Sequence, residues 1–116
     1  MSPVKIIDML QHRRFSLGNE TLLQQEINDF FTVMNVEFKR HLYLDDKNII
    51  DFFFYPGIGM EVKIKGSKRE IYRQCERYCT FDQVKILMLV TSISMKLPRE
   101  INKKPCFVFN LSKAWM

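Results

Sequence analysis

Residues 50–65 run Ile50-Asp51-Phe52-Phe53-Phe54-Tyr55-Pro56-Gly57-Ile58-Gly59-Met60-Glu61-Val62-Lys63-Ile64-Lys65 and read as two β-strands joined by a turn at Pro56-Gly57. Strand side chains alternate faces. Met60, Val62 and Ile64 therefore point one way, and Glu61, Lys63 and Lys65 the other. In the first strand Asp51 shares a face with Phe53 and Tyr55, and antiparallel pairing can bring it beside Glu61 and Lys63. Two carboxylates about 4 Å apart repel by roughly 4 kcal/mol at an effective dielectric near 20. A fold tolerates such a pair when one acid is protonated or a cation lies between them. The expected cation is Mg²⁺ or Mn²⁺, hard ions that take oxygen ligands and retain water. Lys63 would then reach that water or a phosphate. Because Ile49-Ile50 and Phe52–Phe54 form a nearly continuous apolar run, this strand should be covered on both faces. An acid inside such a run is costly without a partner, which makes Asp51 a candidate functional residue.

Downstream, Gly66 ends the second strand and Ser67-Lys68-Arg69-Glu70 has the spacing of a capping box. The expected helix runs to about Cys79, with Ile71, Cys75, Tyr78 and Cys79 buried. Gln74 and Tyr78, four apart, share one face. Lys68, Arg69, Arg73 and Arg77 give the helix a basic side near Lys65, suited to a phosphate backbone. Val84–Val90 reads as a buried strand, Thr91–Ile101 as a loop, and 102–105 as a turn. Cys106–Leu111 is strand-like, and Ser112 can cap a final turn carrying Ala114 and Trp115.

Upstream, Asn19 caps a helix expected to run to about Met34, with Leu23, Ile27, Phe30 and Met34 as its apolar stripe. Glu20 and Glu26 flank that stripe, and a carboxylate in the first turn also suits the helix dipole. Val36–Leu44 alternates as a strand with Val36, Phe38, Arg40 and Leu42 on one face, and 45–48 is a turn by composition. His41 reads as a surface or partly buried strand residue. Residues 1–17 allow either a short helix after Pro3 or an arm, with His12-Arg13-Arg14 as a solvated basic segment or a phosphate contact.

At 116 residues the chain suits a single domain spanning 1–116 with one modest core. Its 47% apolar and 13% aromatic content argues against disorder. The net charge of +5 favours a polyanionic partner. No apolar run approaches the roughly 20 residues of a membrane span, and no secretory signal is visible. The three cysteines look like buried thiols of a reducing cytosol, and C-x₃-C at Cys75 and Cys79 without a second pair is a weak zinc signal.

Asp51, Glu61 and Lys63 together form a D…ExK pattern that resembles the PD-(D/E)XK nuclease superfamily. Gln74 to Tyr78 is similar to the Q-x-x-x-Y motif that follows this core in RecB-like and phage exonuclease members. Glu20-Thr-Leu-Leu-Gln24 resembles the helix start of phage and virus-type replication-repair nucleases. Residues 19 to 111 follow the expected α-β-β-β-α-β order, while Ile50 stands where the motif name has proline. The resemblance implies a restriction-endonuclease-like α/β fold with a mixed central sheet flanked by helices. It implies metal binding by Asp51, Glu61, the Val62 carbonyl and Glu20, chosen over Glu26 on the likeness of Glu20–Gln24, with Lys63, Gln74 and Tyr78 completing the catalytic set. The implied activity is Mg²⁺-dependent hydrolysis of DNA, with a structure-selective endonuclease, such as a Holliday-junction resolvase, favoured over an exonuclease. The setting would be replication, recombination or repair in the cytoplasm of a bacterium or phage-infected cell. A junction resolvase needs two symmetric active sites, hence a homodimer. Two alternatives remain open: a DNA-binding module without chemistry, and a phage structural or assembly protein.

Overall fold

The computed structural model describes residues 1–115, with side chains through Lys113. Three helices and six strands alternate as α1 (Pro3–Gln11), α2 (Glu20–Val33), β1 (Lys39–Tyr43), β2 (Ile49–Phe54), β3 (Ile58–Lys63), α3 (Lys68–Tyr78), β4 (Ile86–Thr91), β5 (Glu100–Ile101) and β6 (Lys104–Asn110). A 3₁₀ segment, Leu111–Trp115, follows. The strands form one sheet in the order β1-β2-β3-β4-β6-β5. β1, β2 and β3 pair antiparallel, β3, β4 and β6 pair parallel, and β5 returns antiparallel on β6. The fold is α/β with a mixed sheet between two helical layers.

Apolar burial divides the core in two. On one face, Leu23, Ile27 and Phe31 of α2 and Ile6 and Leu10 of α1 pack on Phe52, Phe54, Met60, Val62, Met88 and Val90. On the other, Ile71, Cys75 and Tyr78 of α3 cover Ile50, Leu87 and Leu89. Alternation along β3 and β4 serves both layers, as expected of strands covered on both sides. Of the two readings for residues 1–17, the helix is correct: Ser2 caps α1 by accepting from the Lys5 amide (3.2 Å), and Ile6, Leu10 and Phe15 are buried.

α2 spans almost the expected residues, with Asn19 accepting from the Leu22 amide (3.0 Å). Its buried stripe is rotated: Phe31 is fully buried, Phe30 only flanks the core, and Met34 is exposed. The adjacent Phe30-Phe31 pair satisfies the helical period either way, and packing against Phe54 and Phe38 selects Phe31. β1 is shorter than the expected strand, and its alternation breaks at His41, whose φ is 55°. Phe38 packs on the α2 side, whereas Leu42 packs on the α3 side. β2 makes the same change opposite, with Phe52 on the α2 side and Ile50 on the α3 side.

Part of the expected 91–101 loop is β5, folded back on β6 through Asn102 and Lys103, both at positive φ. A side-chain bond from Asn102 to the Cys79 carbonyl (2.9 Å) anchors this hairpin. In the final turn, Asn110 supplies the cap by accepting from the Ser112 amide (2.9 Å), the reverse of the expected role for Ser112. The side chains of Ala114 and Trp115 lie outside the described set.

Candidate functional site

The β2–β3 register pairs Phe54 with Ile58, Phe53 with Gly59 and Phe52 with Met60. Continued by one residue, it sets Asp51 opposite Glu61. There the ladder changes character. The Asp51 amide donates to Glu61 Oε1 (3.3 Å), and the Val62 amide donates to Asp51 Oδ2 (2.8 Å). Each acid is thus tied to the strand carrying the other. The face change at His41 and Ile50 falls at this point of the β1–β2 pair, so the irregular backbone and the two acids coincide.

Glu61 is 2% exposed. Burial, then the neighbouring Asp51 charge, pushes its pKa up to about 9. Burial also raises Asp51, opposed by the Val62 amide and assisted by the charge of Glu20. At neutral pH in the absence of a cation the pair therefore holds a proton, with burial favouring Glu61, the more deeply enclosed of the two. Lys63, half-buried, places Nζ 3.8 Å from Glu61 Oε2. Tyr78 closes the site from α3. Its hydroxyl donates to the Ile49 carbonyl (2.8 Å) and accepts from Gln74 Nε2 (2.8 Å). It lies 3.3 Å from Glu61 Oε2. A phenol has one proton. Given to Ile49, that proton leaves the Glu61 contact to be bridged by the proton on the carboxyl. Burial and the Glu61 charge raise the Tyr78 pKa, so the phenol stays neutral.

Glu20 arrives from α2, around the end of β3, and accepts from the Ile64 amide (3.0 Å). Glu26 is elsewhere: it accepts from the amide (2.7 Å) and hydroxyl (3.0 Å) of Ser16, fixing the segment between α1 and α2. Gln24, one turn beyond Glu20, lies 3.3 Å from His41 Nε2. Lys63 and Lys65 stand between two grooves. One, of about 470 Å³, runs along α3 past Arg73, Gln74 and Arg77; the other, of about 310 Å³, reaches Asn19, Glu20 and Thr21. Lys68 and Arg69 line a different groove.

The donor chemistry fits a hard divalent cation. A buried and a half-buried carboxyl lie on facing strand positions at the cost of holding a proton there, and an ion between them would remove that cost. The set is sparse, however. Among the described residues no three His, Cys, Asp or Glu side chains gather as a metal cage. Glu20 is held on Ile64, and the expected Val62 contribution is confined to its backbone because its side chain is buried in the core. The same absence applies to a zinc site at Cys75 and Cys79. Both thiols are free and buried, and burial lifts Cys75 to about 12.

Ile49 and Ile64 were not anticipated as partners, since main-chain acceptors and donors leave no mark in a sequence. No helix among the described residues is long and apolar enough to cross a membrane. Comparison with protein-family models, curated proteins and solved structures returned no match.

Proposed function

We propose that the protein is a divalent-metal-dependent DNA nuclease of the PD-(D/E)XK type. One observation carries most of the weight: a buried acid, Glu61, and a half-buried one, Asp51, face each other across β2 and β3, each bonded to the other's strand, with an ammonium 3.8 Å from Glu61. Such an arrangement strains a metal-free protein and suits one that binds an ion and a phosphate.

Asp51, Glu61 and the Val62 carbonyl would hold Mg²⁺ or Mn²⁺, with Glu20, whose charge already acts on Asp51, as a further acid. When bound, the ion would supply an acidified water and charge neutralisation at a phosphate. The chain's own groups do the rest. Lys63 would contact a phosphate oxygen or the attacking water and offset the negative charge that builds in the transition state. Tyr78 and Gln74 fix the Glu61 carboxyl, so its donor geometry is set before substrate arrives. Lys65, Arg73 and Arg77 border the groove leading to Lys63 and would track the backbone of the strand.

The deciding experiment is cleavage of branched, single-stranded and duplex DNA with Mg²⁺ or Mn²⁺. Asp51→Asn and Lys63→Ala should each lower the rate at least about 100-fold, the scale of losing a charge-stabilising group. Unchanged activity in both variants would remove the proposal.

A second reading, a DNA-binding module without chemistry, draws on a different observation. Each of the three acids already has an internal donor, Val62 for Asp51, the Asp51 amide for Glu61 and Ile64 for Glu20, so the network is complete without an ion. Metal-independent binding with no cleavage would favour it.

A further inference from the structure

A broad groove among the described residues lies outside the carboxyl pair and is unused by the proposed chemistry. It encloses about 890 Å³, between the first turns of α3, the 94–97 segment and β6. Its floor is the α3-side face of β6, at Cys106, Val108 and Asn110, where the sheet extends beyond α3. Tyr72, Met95 and Leu97 form apolar walls. Lys68, Arg69, Lys96 and Lys113 form the rim, and the lining includes no Asp or Glu. Among the described residues none of these four cations is paired with a carboxylate.

Its position relative to Lys63 follows from the register. Lys63 pairs with Thr91, and Thr91 with Asn110, across the parallel strands β3, β4 and β6. At roughly 4.8 Å per strand the groove begins about 10 Å from Lys63 along the carboxyl edge of the parallel strands. That edge is where open α/β sheets bind ligands. The volume is within the roughly 300–1,000 Å³ of clefts that take one drug-sized body, enough for a few nucleotides and too small for a duplex. An aromatic wall beneath a cationic rim is the recognition chemistry of single strands, with bases against apolar and π surfaces and phosphates on Lys and Arg.

We infer that this groove binds an unpaired nucleic-acid strand, delivered to it as the single-stranded arm of a branched or tailed substrate. As a substrate preference this rests on the nuclease reading; as a binding site it does not.

The test is fluorescence anisotropy in EDTA with an oligothymidylate of roughly 12 nucleotides. Wild type is compared with Lys96→Ala/Lys113→Ala, with Tyr72→Leu, which keeps an apolar side chain in the wall, and with Lys5→Ala on α1 as a charge control. The double variant should bind more weakly, with a salt slope shallower by about 1.4, as two lost phosphate contacts on a single strand require. Tyr72→Leu should weaken binding roughly 5- to 150-fold, the range for losing one stacked base. Lys5→Ala should bind as wild type. Unchanged affinity in both groove variants, with wild-type melting curves, would overturn the inference. So would competition by polyglutamate as effective as by the oligonucleotide at equal charge. Groove-dependent binding by a protein that cleaves nothing would uphold the site and remove the nuclease reading. Cleavage with no groove dependence of binding would do the reverse.

Discussion

Replacing Glu61 with Gln should stabilise the metal-free protein above neutral pH and change how its stability depends on pH. The folded protein holds a proton on Glu61 up to about pH 9, whereas an unfolded Glu releases it near 4.3. Between those values the folded state binds more protons than the unfolded state. Stability contributed by this group is therefore complete below the unfolded value and declines as pH rises. One fully retained proton gives a slope of about 1.4 kcal/mol per pH unit. Over two units, from about pH 5.5 to 7.5, wild type should lose at most about 2–3 kcal/mol relative to the Gln variant. For a domain of this size that is a relative Tm shift on the order of 10 °C. The other titrating groups are shared and the comparison subtracts them, except Asp51, whose titration is tied to Glu61, so the difference reports on the pair. Gln also preserves much of the local bonding: its carbonyl can accept from the Asp51 amide and its NH₂ can approach Tyr78, and no ion pair with Lys63 is given up while Glu61 is protonated. Urea or thermal unfolding in EDTA across this range checks the expectation. Parallel stability–pH curves for the two proteins would show that burial of the carboxyl pair has no proton-linked cost, and the case for a cation there would lose its physical basis.

Three further predictions follow from the same geometry. Binding of Mn²⁺ at pH 7 should release protons, because Glu61 must ionise to become a ligand; calorimetry in buffers of different ionisation enthalpy should show the release, and Glu61→Gln should abolish it. Tyr78→Phe leaves the Ile49 carbonyl and Gln74 without their partner and should cost about 1–3 kcal/mol in chemical denaturation. Gly59→Ala would put a methyl 2.4 Å from Ile50 Cδ1 in a fully packed layer and should cost about 1–3 kcal/mol, while Gly18→Ala enters open space and should stay within about 0.5 kcal/mol.

The pairing within the central hairpin was readable because a short turn fixes the register and β3 keeps its period of two, although β2 changes face between Ile50 and Phe52. Alternation places Glu61 and Lys63 on one face, and pairing then leaves Asp51 few other neighbours. The Gln74–Tyr78 bond was readable for a similar reason, a four-residue spacing on one helix. What escaped notice depends on contacts distant in the chain. Tyr78 reaches Ile49, 29 residues away, and Glu20 reaches Ile64, 44 residues away. Nothing local to Phe30 and Phe31 determines which faces the core. The break at His41 runs against an otherwise regular alternation, so the pattern itself concealed it. The broad groove at Met95–Leu97 was invisible because its walls come from a loop, a helix end and a strand, none distinctive alone.

The irregularity at His41 also bears on self-association. β1 is the outermost strand at its end of the sheet. A flat edge there would offer a row of free main-chain groups on which a second molecule could extend the sheet. A left-handed residue in the middle of five, preceded by Lys39 and Arg40, interrupts that row and adds charge beside it. Continuous strand-to-strand joining at this border is thereby disfavoured.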